Sequence, residues 1–132
     1  MTLIDQILLG GGLFIGACIL HLSVLALIVS VMRRAEDITW ISTTLLFMIL
    51  AVSHIVQIGL WAVTLQWTGA FTNIEDALYF ALTSYTTVGY GDVTLGPDSR
   101  ILGTLSAFAG ILTFGMSTAL LVALFSQVIG RD

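Results

Sequence analysis

Five consecutive residues, Thr87-Val88-Gly89-Tyr90-Gly91, are the part of this sequence best suited to binding a bare cation. A cation that leaves water needs oxygen ligands of nearly equal energy, and rings of backbone carbonyls can supply them. In an ordinary strand the carbonyls alternate in direction, so successive carbonyls share one side only if the backbone alternates between right-handed and left-handed conformations. Glycine adopts the left-handed conformation without steric cost, and Gly89 and Gly91 stand at alternate positions. The segment therefore predicts a row of ion-binding carbonyls.

The oxygen ligands can be assigned residue by residue. We predict coordination by the carbonyls of Thr87, Val88, Gly89 and Tyr90, with the Thr87 hydroxyl at the inner entrance and Gly91 completing the segment. The side chains of Val88 and Tyr90 then point away from the ion path and brace its wall. The alternative is an external glycine-containing turn, which the context disfavours because a short capped helix precedes the segment and apolar spans flank it.

Long apolar stretches on both sides of this segment indicate a membrane protein. Hydrophobic residues make up 58% of the 132 residues and charged residues 9%, which is too few charges to build a water-facing surface. Each long stretch exceeds the ~20 residues that cross a bilayer as a helix. A shorter stretch, 74–86, cannot span the membrane and predicts a helix that enters and returns on one side. The long stretches are Leu3–Met32, Ile41–Trp67 and Ile101–Ile129.

The short stretch has recognisable ends. Thr72 and Glu75 have the spacing of a capping box, and Asp76 adds a second carboxylate to the first turn, where the helix dipole favours negative charge. The opposite end, near Thr86, directs partial negative charge towards the membrane centre. A cation at that point would be stabilised.

Arginine placement predicts how the spans are oriented. Arg33 and Arg34 lie between the first two spans and Arg131 follows the third, and positively charged loops stay in the cytoplasm. Both sites fall on one side if the N-terminus is external and the C-terminus cytoplasmic, which leaves Arg100 as an exception outside. Aromatic residues suited to the membrane interfaces are Trp61 and Trp67 at the outer end of the second span and Trp40 at its inner end.

The stretch 41–127 resembles the pore module of potassium channels, most closely the bacterial two-transmembrane type. Residues 87–91 carry the resemblance, and Ala109-Gly110-Ile111, Phe114-Gly115 and Thr118-Ala119 in the third span strengthen it. The resemblance implies passive potassium conduction, with K⁺ as the permeant ligand, no other cofactor and no catalytic residue. It also implies a homotetramer in membrane lipid, in a bacterial inner membrane.

The resemblance implies a division of the chain into two parts. The predicted fold class is an all-α membrane protein with three transmembrane helices, a re-entrant pore helix and an extended selectivity filter, assembled as a tetramer because four filter strands close one ring. An additional N-terminal helix and a cytoplasmic loop occupy 1–37, and the pore domain occupies 38–132. Within the pore domain we expect an outer helix at 41–67, a pore helix at 74–86, a filter at 87–91 and an inner helix at 100–129.

Residues around the filter depart from the resemblance in part. Tyr79 and Phe80 stand where the family often has two tryptophans, which support the filter and bond the aspartate that follows it, here Asp92. Tyr79 can still make that bond through its hydroxyl. Thr83 takes the place behind the filter where other members have glutamate or an apolar residue, so filter stability is in question more than selectivity.

The third span is similar to the inner helix of the family. The resemblance places a flexible point at Gly110, for which the alternative is that glycine allows close helix packing. Spacings of three and four put most of the other assigned residues on one helical face. The residues assigned to the cavity and its inner mouth are Ile111, Gly115, Thr118, Ala119, Val122 and Ser126.

Two histidines lie deep in the spans. Helical rise places His21 and His54 at similar depths, about 18 and 21 Å from the inner ends. One hypothesis is that His21 meets His54 or Gln57 and makes gating sensitive to pH; the other is that each histidine only bonds a neighbouring backbone group or serine. Gly12 and Gly16 form a G-x-x-x-G pair that predicts contact with a neighbouring helix.

Other function classes fit less well. A nonselective cation channel is disfavoured because Tyr90 keeps the middle of the motif unaltered, and a non-conducting accessory membrane protein remains a second alternative. An enzyme is not expected, since no span carries a Ser/His/Asp arrangement or an H-E-x-x-H motif. With four arginines, no lysine and a net charge of −4, a nucleic-acid partner is not expected, and nothing implies a soluble partner. No span has arginine at every third position, so no voltage sensor is predicted.

Overall fold

The structure, a computed structural model, describes residues 1–34 and 39–129, and over this part of the chain it is helical with no β-strand. Three helices are long and apolar enough to cross a membrane, which confirms the all-α class and the three predicted spans. A shorter helix lies between the second and third of them, and one turn of 3-10 helix, Pro97–Ser99, leads into the last. The helices are α1 (Leu3–Arg34), α2 (Trp40–Trp67), α3 (Ile74–Tyr85) and α4 (Arg100–Ile129).

Two earlier predictions concern residues that the structure does not describe. Arg131, on which part of the predicted orientation depends, lies outside the described residues. The boundary placed between 37 and 38 lies outside them as well. The observed helix ends otherwise fall within two residues of the predicted ones.

Capping side chains fix where α1 and α2 begin. Thr2 Oγ1 accepts a hydrogen bond from the Asp5 N–H at 3.2 Å, while Asp5 Oδ2 accepts one from the Thr2 N–H at 2.9 Å. Thr39 and Ser42 exchange the same pair of bonds at 3.2 and 2.9 Å. Each pair satisfies backbone donors that the first turn of a helix leaves free.

The capping box predicted for Thr72 and Glu75 is wrong by one residue. Asn73 is the N-cap of α3, with an extended backbone at φ −124° and ψ 155°. Its Oδ1 accepts from the Asp76 N–H at 2.8 Å, and its Nδ2 donates to Asp76 Oδ2 at 2.8 Å. Because the Asn73 side chain satisfies a free N–H of the first turn and also bonds the Asp76 carboxylate, the helix begins at Ile74.

The helix α1 lies against α4. Gln6 is buried, and its Oε1 accepts a hydrogen bond from the Ile101 N–H at 3.1 Å. This bond satisfies one of the backbone donors that the first turn of α4 leaves free. A Cβ added at Gly10 would meet leucine side chains of α4 at 2.6 and 3.1 Å, which shows how closely the two helices approach. The rings of Phe14 and Phe108 stack with centroids 5.0 Å apart.

The glycine pair of α1 faces away from this contact. A Cβ at Gly12 or Gly16 would meet nothing within 4 Å among the described residues. Gly10, two residues earlier, is the glycine at which α1 approaches α4 closely. The neighbour predicted for the Gly12–Gly16 pair is therefore not a described part of the same subunit.

The apolar core lies where α3 packs against α2 and α4. Trp61 of α2 and Tyr85 of α3 are both fully buried in it, together with Leu102 of α4. The interfacial position predicted for Trp61 is therefore wrong, since its ring faces α3 and the protein interior. Trp67 and Trp40 are 78% and 55% exposed, and an interfacial position remains the prediction for both.

Candidate functional site

The segment that follows α3 has an alternating backbone. Gly89 and Gly91 have φ angles of 52° and 80°, so the left-handed conformations predicted for them are confirmed. Thr87 is left-handed as well, at φ 62°, and this was not predicted because a β-branched residue rarely adopts that conformation. Positive φ therefore recurs at every second residue, while Val88 and Tyr90 lie outside the left-handed region. Such alternation turns successive carbonyls towards one side.

Backbone hydrogen bonds tie this segment to the last turn of α3. The Thr87 N–H donates to the Ser84 carbonyl at 2.9 Å, and the Gly89 N–H donates to the Thr83 carbonyl at 3.1 Å. A left-handed threonine costs on the order of 1–3 kcal/mol and persists only where the surroundings over-determine it. These two bonds hold the residues on either side of Val88 in place.

Side chains of α3 support the segment from behind. The Tyr79 hydroxyl donates to Asp92 Oδ2 at 2.7 Å, so the bond anticipated for this pair is present. Phe80 lies against Phe71, with ring centroids 5.5 Å apart. The Thr83 hydroxyl bonds only carbonyls of its own helix, at 3.1 Å, so Thr83 reaches the segment through its backbone carbonyl rather than its side chain.

The Tyr79–Asp92 bond predicts a pH dependence. The hydroxyl of Tyr79 lowers the pKa of the Asp92 carboxyl below its usual value. The bond therefore contributes stability above the ordinary carboxyl pKa of about 3.9, and this contribution is lost as the pH falls through the lowered pKa. We expect Tyr79→Phe to lower the thermal unfolding midpoint at neutral pH. The difference in midpoint between the variant and the wild type should disappear below about pH 4, because the bond no longer stabilises the wild type there.

A carboxylate in the same segment between α3 and α4 supplies the control for this measurement. Asp98→Asn removes a negative charge from the segment and leaves the Tyr79–Asp92 bond intact. Its unfolding midpoint should follow the pH dependence of the wild type. A Tyr79→Phe curve that runs parallel to the wild type at all pH values would contradict the assigned role of the bond.

The residues assigned to the cavity share an open face of α4. All six residues are exposed in the single chain, whereas the opposite face of α4 is buried against α1, α2 and α3. Their role as a cavity lining stays a prediction. The exposed residues are Ile111, Gly115, Thr118, Ala119, Val122 and Ser126.

Gly110 differs from these residues because it is buried against α3. A Cβ at this position would lie 1.8 Å from the Tyr85 carbonyl oxygen and 2.8 Å from the Tyr85 carbonyl carbon. No side chain can fit there, so close packing accounts for the glycine. Its role as a flexible point stays a prediction.

The candidate ion-binding segment is open in the single chain. Tyr90 is 73% exposed and Val88 51% exposed, and neither side chain is covered as a wall residue would need to be. Behind the segment lies a groove of about 660 Å³, lined from α3, α4 and the segment itself by residues that include Thr83, Gly89 and Gly103. A further surface is needed to cover this face.

The two histidines meet in the interior. The ring centroids of His21 and His54 are 4.9 Å apart, which confirms that they lie at similar depth. Gln57 Nε2 lies 3.2 Å from His21 Nδ1, as the first hypothesis requires, and both histidines bond Ser117, as the second requires. Tyr85 and Thr113 complete this cluster and were not predicted, because hydroxyl groups in apolar spans usually bond their own helix.

Comparison with known proteins agrees with this geometry. Residues 44–127 match the model of a family described as ion channel. Potassium voltage-gated channel subfamily A member 10 of Mus musculus and of Homo sapiens is 38% identical over 63 residues, which cover 47% of this chain and 12% of the relative. Member 7 of Homo sapiens is 40% identical over 65 residues, which cover 47% of this chain and 14% of the relative.

The extent of these matches sets what they show. The aligned stretch spans about an eighth of the length of the curated relatives, and no solved structure matches the chain. The family model covers more than half of the chain and includes α3, the segment 87–91 and most of α2 and α4. A channel rather than an enzyme is indicated, in an integral membrane protein. The chain belongs to the ion channel family, within its potassium channel pore-domain group.

Proposed function

We propose that this chain forms a potassium-selective pore as a homotetramer and conducts K⁺ passively across the membrane. The observation that carries the proposal is the alternation of left-handed residues at Thr87, Gly89 and Gly91. Carbonyls aligned in this way replace the hydration shell of K⁺ when four chains contribute them around one axis. The coordinating oxygens are then the carbonyls of 87–90 and the Thr87 hydroxyl.

The electrostatics of α3 favour a cation beside this segment. Glu75 and Asp76 occupy its first turn, where the positive end of the helix dipole attracts their negative charge. The other end, at Tyr85 and Thr86, carries a partial negative charge of roughly half an electron. Four such ends directed at a common axis stabilise a cation that has entered the low-dielectric part of the membrane.

The open face of the single chain supports assembly with further copies. Val88 and Tyr90 are exposed, and the groove of about 660 Å³ behind them is uncovered. A second copy of this chain is the occupant that we propose, because a ring of carbonyls needs the same segment from each member. In that assembly the exposed face of α4 lines a water-filled cavity on the axis.

The proposed orientation has an external N-terminus and a cytoplasmic C-terminus. Arg33 and Arg34 in the last turn of α1 support it, because positive residues stay on the cytoplasmic side. The segment between α2 and α4 is then external. A bacterial inner membrane is proposed from the family resemblance alone. The relatives named above are from Mus musculus and Homo sapiens and do not bear on it.

Reconstitution of the purified chain in liposomes tests the proposal. Under opposed K⁺ and Na⁺ gradients we expect a reversal potential close to that of K⁺, together with block by Ba²⁺. A reversal potential near zero would favour the nonselective cation channel instead. Liposomes without any cation flux would favour the non-conducting accessory protein.

A further inference from the structure

A continuous chain of side-chain hydrogen bonds runs through the interior of the subunit. Every member is at least 93% buried, and each bond joins two different helices. The bonds run from Gln57 Nε2 to His21 Nδ1 at 3.2 Å, His21 Nε2 to Ser117 Oγ at 2.9 Å, Ser117 Oγ to His54 Nε2 at 3.0 Å, His54 Nδ1 to Tyr85 Oη at 3.0 Å, and Tyr85 Oη to Thr113 Oγ1 at 2.7 Å.

The direction of these bonds can be assigned from the α4 end. The Thr113 hydroxyl has one proton, and it donates this proton to the Ala109 carbonyl at 2.8 Å. The Tyr85 hydroxyl must then donate to Thr113 and accept from Nδ1–H of His54. His54 is therefore the neutral tautomer with a bare Nε2, which accepts from the Ser117 hydroxyl.

The remaining bonds follow from the same argument. Because Ser117 has given its only proton to His54, its oxygen accepts from Nε2–H of His21. His21 Nδ1 is then bare and accepts from the Gln57 amide, whose nitrogen is the atom that faces it. Gln57 Nε2 also lies 3.3 Å from the Ser53 carbonyl oxygen, which can only accept, so one orientation of the amide serves both contacts. Each hydroxyl from Ser117 to Thr113 thus donates once and accepts once, and each ring nitrogen of the two histidines has a partner. Ser53 Oγ also lies 3.3 Å from His21 Nδ1, and Gln57 Oε1 is buried without a hydrogen-bond partner among the described residues.

The chain ends at the base of the candidate filter. Tyr85 is the last residue of α3 and lies two residues before Thr87. Its backbone is held against Gly110 and its hydroxyl is held by His54 and Thr113, so three contacts set where the filter begins. Buried polar chains in which every member is satisfied make an arrangement rigid, whereas a member without its partner is costly.

We propose that this hydrogen-bonded chain is a positioning element for the base of the filter, with Ser117 as its junction and His21 as its anchor in α1. The inference rests on the proposed function. It makes α1, a helix outside the pore module, part of the ion-conducting unit. The filter oxygens nearest to Tyr85, those of Thr87, are the ones that move when the chain is broken.

Selectivity measured on broken and restored chains tests this role. Ser117→Ala leaves two ring nitrogens without a partner, and His21→Leu removes the link to α1. For each variant reconstituted in liposomes we expect the K⁺/Na⁺ permeability ratio to fall about threefold to tenfold, the range that one membrane hydrogen bond can account for. Ser117→Thr keeps the hydroxyl and should restore the ratio. The double variant should be no worse than Ser117→Ala alone, because both break one chain.

The matched control is Ser23→Ala. It removes a hydroxyl from the same helix as His21, but among the described residues that hydroxyl bonds only the Ile19 carbonyl of its own helix, at 2.8 Å. Its permeability ratio should equal that of the wild type. Where Ser117→Ala does not assemble, Tyr85→Phe removes one hydroxyl at constant shape and should lower the ratio to the same extent.

Two results would overturn the inference. One is a wild-type permeability ratio in Ser117→Ala, His21→Leu or Tyr85→Phe with only the unfolding midpoint lowered, since that is the behaviour of a purely structural bond. The other is an additive effect in the double variant. Failure of the inference differs from failure of the proposed function, because the proposed function is tested by the wild-type protein alone. A wild type that does not prefer K⁺ contradicts the proposed function, whereas these two results are read against a wild type that does prefer K⁺.

Discussion

Gly110→Ala is expected to destabilise the folded subunit severely. A Cβ on Gly110 would lie 1.8 Å from the carbonyl oxygen of Tyr85 and 3.2 Å from its Cα, so the atoms nearest to it belong to the backbone. No rotamer change relieves such a clash, and α4 would have to move away from α3. We expect a loss on the order of 3 kcal/mol or more in the free energy of unfolding, at the upper end of overpacking. Thermal unfolding followed by circular dichroism in detergent measures it.

Gly59→Ala is the matched control for this change. Gly59 is also a glycine inside a long helix, and a Cβ there would meet nothing within 4 Å among the described residues. Alanine should therefore stabilise α2 slightly, by about 0.5–1 kcal/mol, because glycine is the weaker helix former. If Gly110→Ala unfolded at the same temperature as the wild type, the contact between α4 and the end of α3 would be wrong.

The features that the sequence predicts well are those with a local physical cause. The lengths of α1, α2 and α4 follow from the apolar runs, since a backbone in lipid must satisfy its own hydrogen bonds as a helix. The left-handed conformations of Gly89 and Gly91 follow from the freedom of glycine. The left-handed Thr87 could not be predicted because tertiary hydrogen bonds impose it against its own preference.

Features that depend on which faces meet were predicted poorly. Trp61 was expected at the membrane interface because it lies near the end of a span, yet its side chain points into the core. Hydropathy measures how apolar a span is but does not indicate which side of the helix faces the protein interior. The cap of α3 was misplaced for a similar reason, because Thr72 and Asn73 are both competent N-caps and one residue separates the two solutions.

The polar cluster shows what composition can and cannot indicate. Histidines inside a membrane span are rare and mark a site that needs partners, so His21 and His54 were recognisable from the sequence. Their partners were not, since serine and threonine are common in membrane helices and usually bond their own backbone. Only the packing of four helices distinguishes Ser117, which joins both histidines, from Ser23, which does not.

Alanine at position 89 is expected to abolish potassium selectivity. Gly89 has a φ of 52°, and an L-residue held there costs roughly 1–2 kcal/mol, a cost that recurs in every subunit of the proposed ring. The variant relieves this cost by returning to negative φ, which rotates a neighbouring carbonyl away from the ion path. In the proposed tetramer four oxygens of one ring are then lost together, and K⁺ is no longer compensated for its hydration shell. Reversal potentials in liposomes should move to near zero, or conduction should cease.

Two matched substitutions separate backbone strain from crowding in this experiment. Gly96 lies between α3 and α4 at φ −65°, a conformation open to any residue, so Gly96→Ala makes the same chemical change without strain and should keep the reversal potential. D-alanine at position 89, introduced by semisynthesis, has the added carbon of Gly89→Ala but prefers positive φ by mirror symmetry. It should recover much of the selectivity that L-alanine removes.

Because a Cβ at Gly89 would meet nothing within 4 Å among the described residues, equal losses with the two enantiomers would point to crowding by a neighbouring copy. An L-alanine variant with wild-type selectivity would show instead that the ion path does not need a left-handed residue at this position.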